Sequence, residues 1–537
     1  MKAAIIVGYL VVVTGIGILA RRRAQKGSAD FFLAGRSIGP VLLLLTMAAT
    51  NFSAFTVFGF AGAGYRFGYA YYPIMAFGTG FMALTFLFIG IPVWRAGLEM
   101  GAVSPSELIL LRFRNWPLRL AYSAVMVVFT LPYLAIQPMG AGYALEGLLG
   151  IPYVWGAVAV TLVVVGYVLL GGMRGVVWTD AVQGFLMLAA MAAVFFGLAK
   201  ALGGFGSANA RVFAEAPELF SRPGGAGMFT LGIWFSYMVL WLLCDPMFPQ
   251  LFQRFLAAKN ERSLRLTALL YPLVTGVLFF LPVAVGVMGR LIVPGLEGKA
   301  TDQVLPLAVG KVLPGWMGAL AIGAGLTALM STMDSQLLTL GSIFSRDARQ
   351  LAVVKGTRFF GRRAVVAGLA LIGLLLALKP VATILQIATE TFTGLAVLFP
   401  VTVAGIYWKK TNPWAGLASI VAGEGLVVLY HYKLLPTFGL LPVIPVVLVT
   451  GLVLVVGSIV WPAHGLEPLA TVPRSAWRWV AIFAIVFALG IDFWNWGRAQ
   501  LSWFGLPGWV WYHFGLCLLV SVLMGLYFLV QKRQRAV

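Results

Sequence analysis

Thr-Met-Ala-Ala-Thr-Asn-Phe-Ser-Ala-Phe-Thr-Val-Phe-Gly-Phe-Ala-Gly-Ala-Gly occupies residues 46–64 and sets the polar residues Thr50, Asn51 and Ser53 in the middle of an apolar run rich in small side chains. A continuous apolar helix has no use for that pattern, so the run reads as a broken helix. A second stretch, Val-Leu-Trp-Leu-Leu-Cys-Asp-Pro-Met-Phe-Pro-Gln-Leu-Phe-Gln at 239–253, places Asp245 beside Pro246 and Pro249. Each proline removes a backbone donor, which frees carbonyl oxygens of the preceding turn. Counted along the chain, the two interruptions fall in the second and seventh apolar runs. Five runs separate their starts, so the two segments cross a membrane in opposite directions. That is the signature of an inverted five-plus-five repeat with a binding site at its breaks.

The whole chain supports a membrane reading. Of its 537 residues 61% are hydrophobic and 10% charged, against roughly 45–50% and about 25% in soluble domains. Fifteen apolar runs, each near the ~20 residues of a spanning helix, fall at about 2–20, 38–66, 69–94, 119–149, 152–171, 178–201, 227–253, 265–293, 313–345, 364–379, 382–408, 413–431, 440–461, 477–496 and 508–530. They form one integral membrane domain over residues 1–537. Its expected parts are a peripheral helix at 1–20, a first repeat at about 38–201, a second at about 227–408 and peripheral helices at about 413–530.

The formal charge of +21 would fit nucleic acid if it lined one face, but Lys and Arg sit between apolar runs. With the N-terminus outside, most of them fall in cytoplasmic loops: Arg21, Arg22, Arg23 and Lys26; Arg112, Arg114 and Arg119; Arg174; Arg254, Lys259 and Arg262; Arg346, Arg358 and Arg363; Arg474; Lys532 and Arg533. The positive-inside rule therefore predicts an external N-terminus, a cytoplasmic C-terminus and no nucleic-acid partner. The basic cluster follows the first run and no small-residue cleavage site is evident, so that run reads as an uncleaved anchor. Cys244 and Cys517 lie far apart in apolar segments and imply neither disulfide nor metal clip.

Thr327-Ala-Leu-Met-Ser-Thr-Met-Asp-Ser-Gln336, in the ninth run, puts Ala328, Ser331, Thr332 and Ser335 on one helical face by their i, i+3 and i+4 spacing. Two hydroxyls and a carbonyl on one wall suit a hard monovalent cation if a broken helix faces them. Back-bonding of the hydroxyls to the preceding turn is the alternative.

Together with this Ser-Thr pair, three further motifs resemble the sodium:solute symporter family, whose members carry proline, galactose, sialic acid or pantothenate. They are Gly-Gly-Met-Arg-Gly-Val-Val-Trp-Thr-Asp at 171–180, Gln253-Arg254-Phe-Leu-Ala-Ala-Lys259, and Tyr407-Trp-Lys-Lys-Thr411. The similarity covers roughly residues 1–430. It implies the leucine-transporter architecture and a main sodium site built from the carbonyls of Ala49, Phe52 and Ala328 with the hydroxyls of Ser331 and Thr332. Asp180 matches an aspartate on the sodium pathway. With Asp334 and Ser335 it marks a second cation or proton site, although Asp334 stands where two-sodium members have a hydroxyl. The resemblance also implies a solute cavity lined by Asn51, Gln137, Trp241, Asp245 and Glu390. Proline carriers have an aspartate at the position of Asn51, and sugar carriers an asparagine and a gating tyrosine at those of Trp241 and Cys244. Uncompensated acids at 245 and 390 favour an amino-bearing or zwitterionic solute, or else they carry protons, and lactate-like and pantothenate-like acids remain open as solutes.

The expectation is a sodium-coupled carrier, with sodium as coupling ion and no other cofactor, in an inner or plasma membrane. The alternatives are a proton-coupled carrier of the same fold and a solute sensor acting through a separate signalling partner, since the chain ends seven residues after its last apolar run. No phosphate-binding loop occurs. His431, His464 and His513 lie outside the candidate core, so an enzyme is not expected and no obligate protein partner is evident.

Overall fold

A computed structural model describes residues 2–21, 28–355, 361–463, 466–473 and 475–536 of the chain. Arg22, Arg23, Lys26, Arg358, His464 and Arg474 lie outside the described residues. Among the described residues the chain is helical throughout, with only two isolated backbone bridges, Ile38 to Ala258 and Leu501 to Pro507.

In a chain so uniformly apolar, polar caps punctuate the helices. Asn115, Asn260 and Asn412 accept from the first free backbone N–H groups of Trp116–Leu149, Glu261–Ile292 and Pro413–His431. Thr383 and Gln386 form a reciprocal capping box at Ile384–Ala396. Gly150, in the left-handed region, ends Trp116–Leu149.

Every one of the fifteen runs has a helical counterpart, but among the described residues only ten stretches are long and apolar enough to cross a membrane, or eleven with the pair Leu231–Met247 and Pro249–Ala257, bent by 52°. The difference has a geometric cause. Phe55–Met100 and Tyr153–Ala201 span 46 and 49 residues, which at about 1.5 Å per residue is roughly twice the ~30 Å hydrocarbon thickness. Tyr153–Ala201 holds two of the expected runs and turns at Gly172, whose φ of 56° suits glycine, while Phe55–Met100 holds the run at 69–94 and the second half of that at 38–66. Ala4–Ile16, Pro40–Asn51 and Arg363–Ala377 are shorter apolar helices.

Burial separates core from periphery. The most apolar window of Phe55–Met100 is 83% buried and that of Gly315–Ser345 81%, against 22% in Ala476–Asn495 and 28% in both Pro413–His431 and Val443–Val460. Helices enclosed on all sides can hold polar groups against one another, and the functional residues lie on them.

Several arginines counted as loop charges are built into the protein. Arg119 and Arg254 are fully buried and Arg112 nearly so. Near the Ile38–Ala258 bridge, Arg36 donates to the carbonyls of Leu256, Gly97 and Ala102 and ties three segments together.

Candidate functional site

Helix Pro40–Asn51 stops because Phe52 takes an extended conformation (φ −87°, ψ 97°), and the chain resumes as helix from Ala54. The break turns carbonyls away from the helix axis toward Gly315–Lys355. Ser331 Oγ lies 2.8 Å from the Ala49 carbonyl and 3.0 Å from that of Ala328. Thr332 Oγ1 lies 2.9 Å from the Thr50 carbonyl, 3.3 Å from Ala328 and 3.5 Å from Phe52. The five expected sodium-site residues thus converge with one carbonyl that sequence reasoning missed, that of Thr50. All are buried and every donor atom is a neutral oxygen. Each hydroxyl points its hydrogen at a carbonyl, and a small rotation would turn its lone pair to a cation in the same cradle. The residues fit a hard monovalent ion.

One turn further along the helix lies a charged cluster. Asp180 Oδ2 accepts from Arg254 Nη2 at 2.7 Å, from Thr46 and from Thr50, and both acid and guanidinium are fully buried. Arg254 also donates to Ser335 Oγ at 2.7 Å, and Ser335 donates to Asp334 Oδ1 at 3.1 Å. Tyr167 donates to Asp334 Oδ2 at 2.8 Å. Asp180, Asp334 and Ser335 are thus brought together, but around an arginine that the sequence reading had placed in a loop. The Asp180 partner 74 residues away explains its burial.

Between the two breaks lies a small pocket of about 10 Å³, nearly filled by the side chains that line it. Its walls are aromatic: Phe55, Tyr133, Trp241, Phe248, Phe279 and Phe392. Phe392 packs edge-on against Trp241 and Tyr133, with centroids at 5.2 and 4.9 Å. The polar lining consists of Asn51, Thr56, Thr79 and Asp245. Asn51 donates to Tyr271 at 2.8 Å. Asp245 is 1% exposed; its Oδ1 accepts from the Cys244 thiol at 3.6 Å, and its Oδ2 has no partner. Asn51 and Thr79 stand beside it outside hydrogen-bonding geometry, and Thr79 Oγ1 and Trp241 Nε1 are likewise unpartnered. Among the described residues no Lys or Arg lines the cavity.

Three of the five expected cavity residues, Asn51, Trp241 and Asp245, therefore meet there. Gln137 does not line it: its Oε1 accepts from the Ala54 N–H at 3.1 Å and its Nε2 donates to the Tyr133 carbonyl, so it braces the break. Glu390 is a correction. Its side chain is 67% exposed and lies 3.2 Å from His431 Nδ1. On Ile384–Ala396 the buried face carries Ala388, Thr391, Phe392 and Leu395. Residue 390 is two positions from both Ala388 and Phe392, about 200° around the helix from each. Sequence reasoning missed the aromatic walls other than Trp241, and Thr79. For Thr79, the flanking Gly78 and Gly80 were the available signal.

The family model for the sodium:solute symporter family matches residues 31–423. The chain belongs to the sodium:solute symporter family. As such it is a multi-pass membrane protein whose activity is sodium-coupled symport of a small solute, and its relatives are transporters rather than enzymes. Sodium/pantothenate symporters of Haemophilus influenzae and Escherichia coli are 28% and 27% identical, over 81% and 84% of this chain and 92% and 95% of theirs. A high-affinity proline transporter of Bacillus subtilis is 28% identical over 79% of this chain and 92% of its own. In fold, this symporter resembles a Na+-coupled sialic acid symporter solved with substrate bound (TM-score 0.72, 19% identity, 87% of this chain and 99% of that one). It also resembles the nucleobase-cation-symport-1 transporter Mhp1 (TM-score 0.53, 14% identity, 84% and 98%). The leucine-transporter architecture that the family resemblance implies is thereby shared with solved structures.

Proposed function

We propose that this symporter imports a small amino-bearing solute, with one sodium ion held by Ala49, Phe52, Ala328, Ser331 and Thr332 and the solute held at Asn51, Trp241 and Asp245. The observation that carries the reading is Asp245: a fully buried carboxyl with an unpartnered oxygen beside an aromatic-lined pocket that, among the described residues, no basic side chain lines. A carboxylate so placed costs several kcal/mol until a positive charge reaches it. A solute ammonium group would supply that charge.

In this reading the N-terminus is external and the C-terminus cytoplasmic, following the loop basic residues that remain exposed. The proposal keeps the parts expected from the sequence: repeats at about 38–201 and 227–408, flanked by peripheral helices. Arg254 already brings a positive charge to Asp180, so we assign Asp180, Asp334 and Ser335 to closing the ion's path rather than to holding a second cation. Net inward movement of one charge across 100 mV supplies about 2.3 kcal/mol, and uptake in vesicles should follow both the sodium gradient and a negative interior.

The lack of a cation beside Asp245 also fits a protonated acid, as in a proton-coupled carrier. Thermal stabilisation of the purified protein across amines, amino acids, monocarboxylates, sugars and vitamins, with and without sodium, tests the proposal. Sodium-dependent stabilisation by amines is expected. Stabilisation that ignores sodium but tracks pH would overturn it.

A further inference from the structure

Away from the broken helices, the peripheral pair Pro413–His431 and Val443–Val460 frames an open groove of about 790 Å³. The two helices approach closely where Gly457 meets Ala415: a Cβ added at Gly457 would stand 2.8 Å from that of Ala415. Small residues at the contact, with Ala418 beside them, leave room that the side chains of Leu452 and Val456 do not fill.

The depth of the groove matches one leaflet of a bilayer. Leu452 and Trp461 both line it, and the nine residues between these positions rise about 14 Å, near half of a ~30 Å hydrocarbon core. At its end the start of one helix is tied to the close of the other, because Asn412 Nδ2 donates to the Trp461 carbonyl at 2.6 Å and Asn412 N–H to Ser458 Oγ at 3.0 Å. Trp414 and Trp461, 60% and 71% exposed, flank that end. Indole rings so placed mark a membrane–water interface.

The same end is positively charged. Lys409 and Lys410 are exposed and, among the described residues, make no ion pair. The Ala463 N–H donates to the Lys410 carbonyl at 3.3 Å, which holds the pair against the chain leaving Trp461. The positive end of the Pro413–His431 dipole adds to their field. Its first N–H groups are taken by the Asn412 side chain, so the lysines are the groups left to meet an anion directly. A second copy of the chain fits this end poorly. A two-fold contact within one bilayer would set Lys409 and Lys410 against the same pair of its partner.

We propose that the groove binds an anionic phospholipid, with one acyl chain along Ala415, Ala418 and Val456 and the phosphate at Lys409 and Lys410. Apolar burial holds the chain and the two charges select the headgroup.

Native mass spectrometry of the full-length protein, with dioleoylphosphatidylglycerol or dioleoylphosphatidylcholine added to the detergent, reads bound lipid and oligomeric state together. Phosphatidylglycerol should bind about tenfold more tightly than phosphatidylcholine. The double variant Lys409→Gln with Lys410→Gln should abolish that preference and leave phosphatidylcholine binding as it was. Ala418→Trp fills the groove from an exposed position and should weaken phosphatidylglycerol binding about tenfold. Unfolding temperatures equal to the parent's in lipid-free detergent verify that both variants fold. Equal affinity of the parent for the two lipids, or an unchanged preference in the lysine variant, would overturn the headgroup contact and the proposal with it. Phosphatidylglycerol binding untouched by Ala418→Trp would place the lipid elsewhere. A dimer that Ala418→Trp dissolves and phosphatidylglycerol does not would assign the groove to a second copy.

Discussion

Asp180 and Asp245 are both fully buried aspartates within apolar runs, and each faces one of the broken helices, yet their surroundings are opposite. Around Asp180 stand the Arg254 guanidinium at 2.7 Å and the hydroxyls of Thr46 and Thr50. Around Asp245 stand a thiol, aromatic rings and no cation. A charge at mid-membrane costs about 2.5–3.5 kcal/mol on insertion scales. In the first region the protein offsets that cost from within, and the result is a fixed joint between helices. In the second it leaves the cost standing, and a bound solute charge can be recognised by removing it. On the proposed function, the same residue type is structural in one place and selective in the other, according to whether the fold supplies its counter-charge.

The largest effect that would test this contrast is on stability. Arg254→Ala removes one partner of a fully buried pair and leaves Asp180 uncompensated, so it should destabilise the protein by about 3–5 kcal/mol. The double variant Asp180→Ala with Arg254→Ala should recover part of that loss, because no lone charge remains. Thermal unfolding in detergent measures both. Equal stability of Arg254→Ala and the parent would mean that Asp180 is already neutral, and the contrast would collapse.

Asp245→Asn should do the reverse. Its charge has no partner to lose, so stability should hold or rise slightly, while affinity for an amine falls about a hundredfold, or about 2.7 kcal/mol. Should binding survive and only the pH dependence of uptake flatten between about pH 5 and 8, Asp245 is a protonated or proton-carrying acid. The neutral sodium cradle belongs to neither class of aspartate. Ser331→Ala and Thr332→Ala each delete one uncharged oxygen and should raise the sodium concentration for half-maximal uptake about tenfold, with the fold intact. Wild-type sodium dependence in both would show that the pair merely packs.

How legible these regions were in the sequence follows from the range of the interactions. The cradle was legible because its hydroxyls share one helical face by local spacing, and a small-residue break announces the facing carbonyls. Apart from Trp241, the cavity walls were not: Phe55, Tyr133, Phe248, Phe279 and Phe392 come from distant segments, and single aromatic residues do not stand out in a chain with 38 phenylalanines. Arg254 was mis-sorted for the same reason. A basic residue at the end of an apolar run looks like a loop charge until Asp180 is known to lie against it. The fold was legible in its order of helices and its two interruptions, less so in its crossings. Two long stretches that each merge two neighbouring runs, the bent pair at 231–257 and the short helices Ala4–Ile16 and Arg363–Ala377 separate fifteen runs from ten clear spans among the described residues.

The smallest expected effect sharpens the boundary of the cavity. Glu390 lies on the same helix as Phe392, so the sequence places an acid within two residues of a cavity wall. Helical geometry decides against it, because Ala388, Thr391, Phe392 and Leu395 take the buried face and turn residue 390 away. Its neighbour is His431, and a pair this exposed gains little. Glu390→Gln should therefore leave amine affinity and sodium dependence within about twofold of the parent. Uptake in proteoliposomes together with ligand binding checks this beside Asp245→Asn. A loss comparable to that of Asp245→Asn would mean that this helix rotates during transport and presents its other face to the solute. Recognition would then be divided between two acids in different states of the cycle rather than held at one.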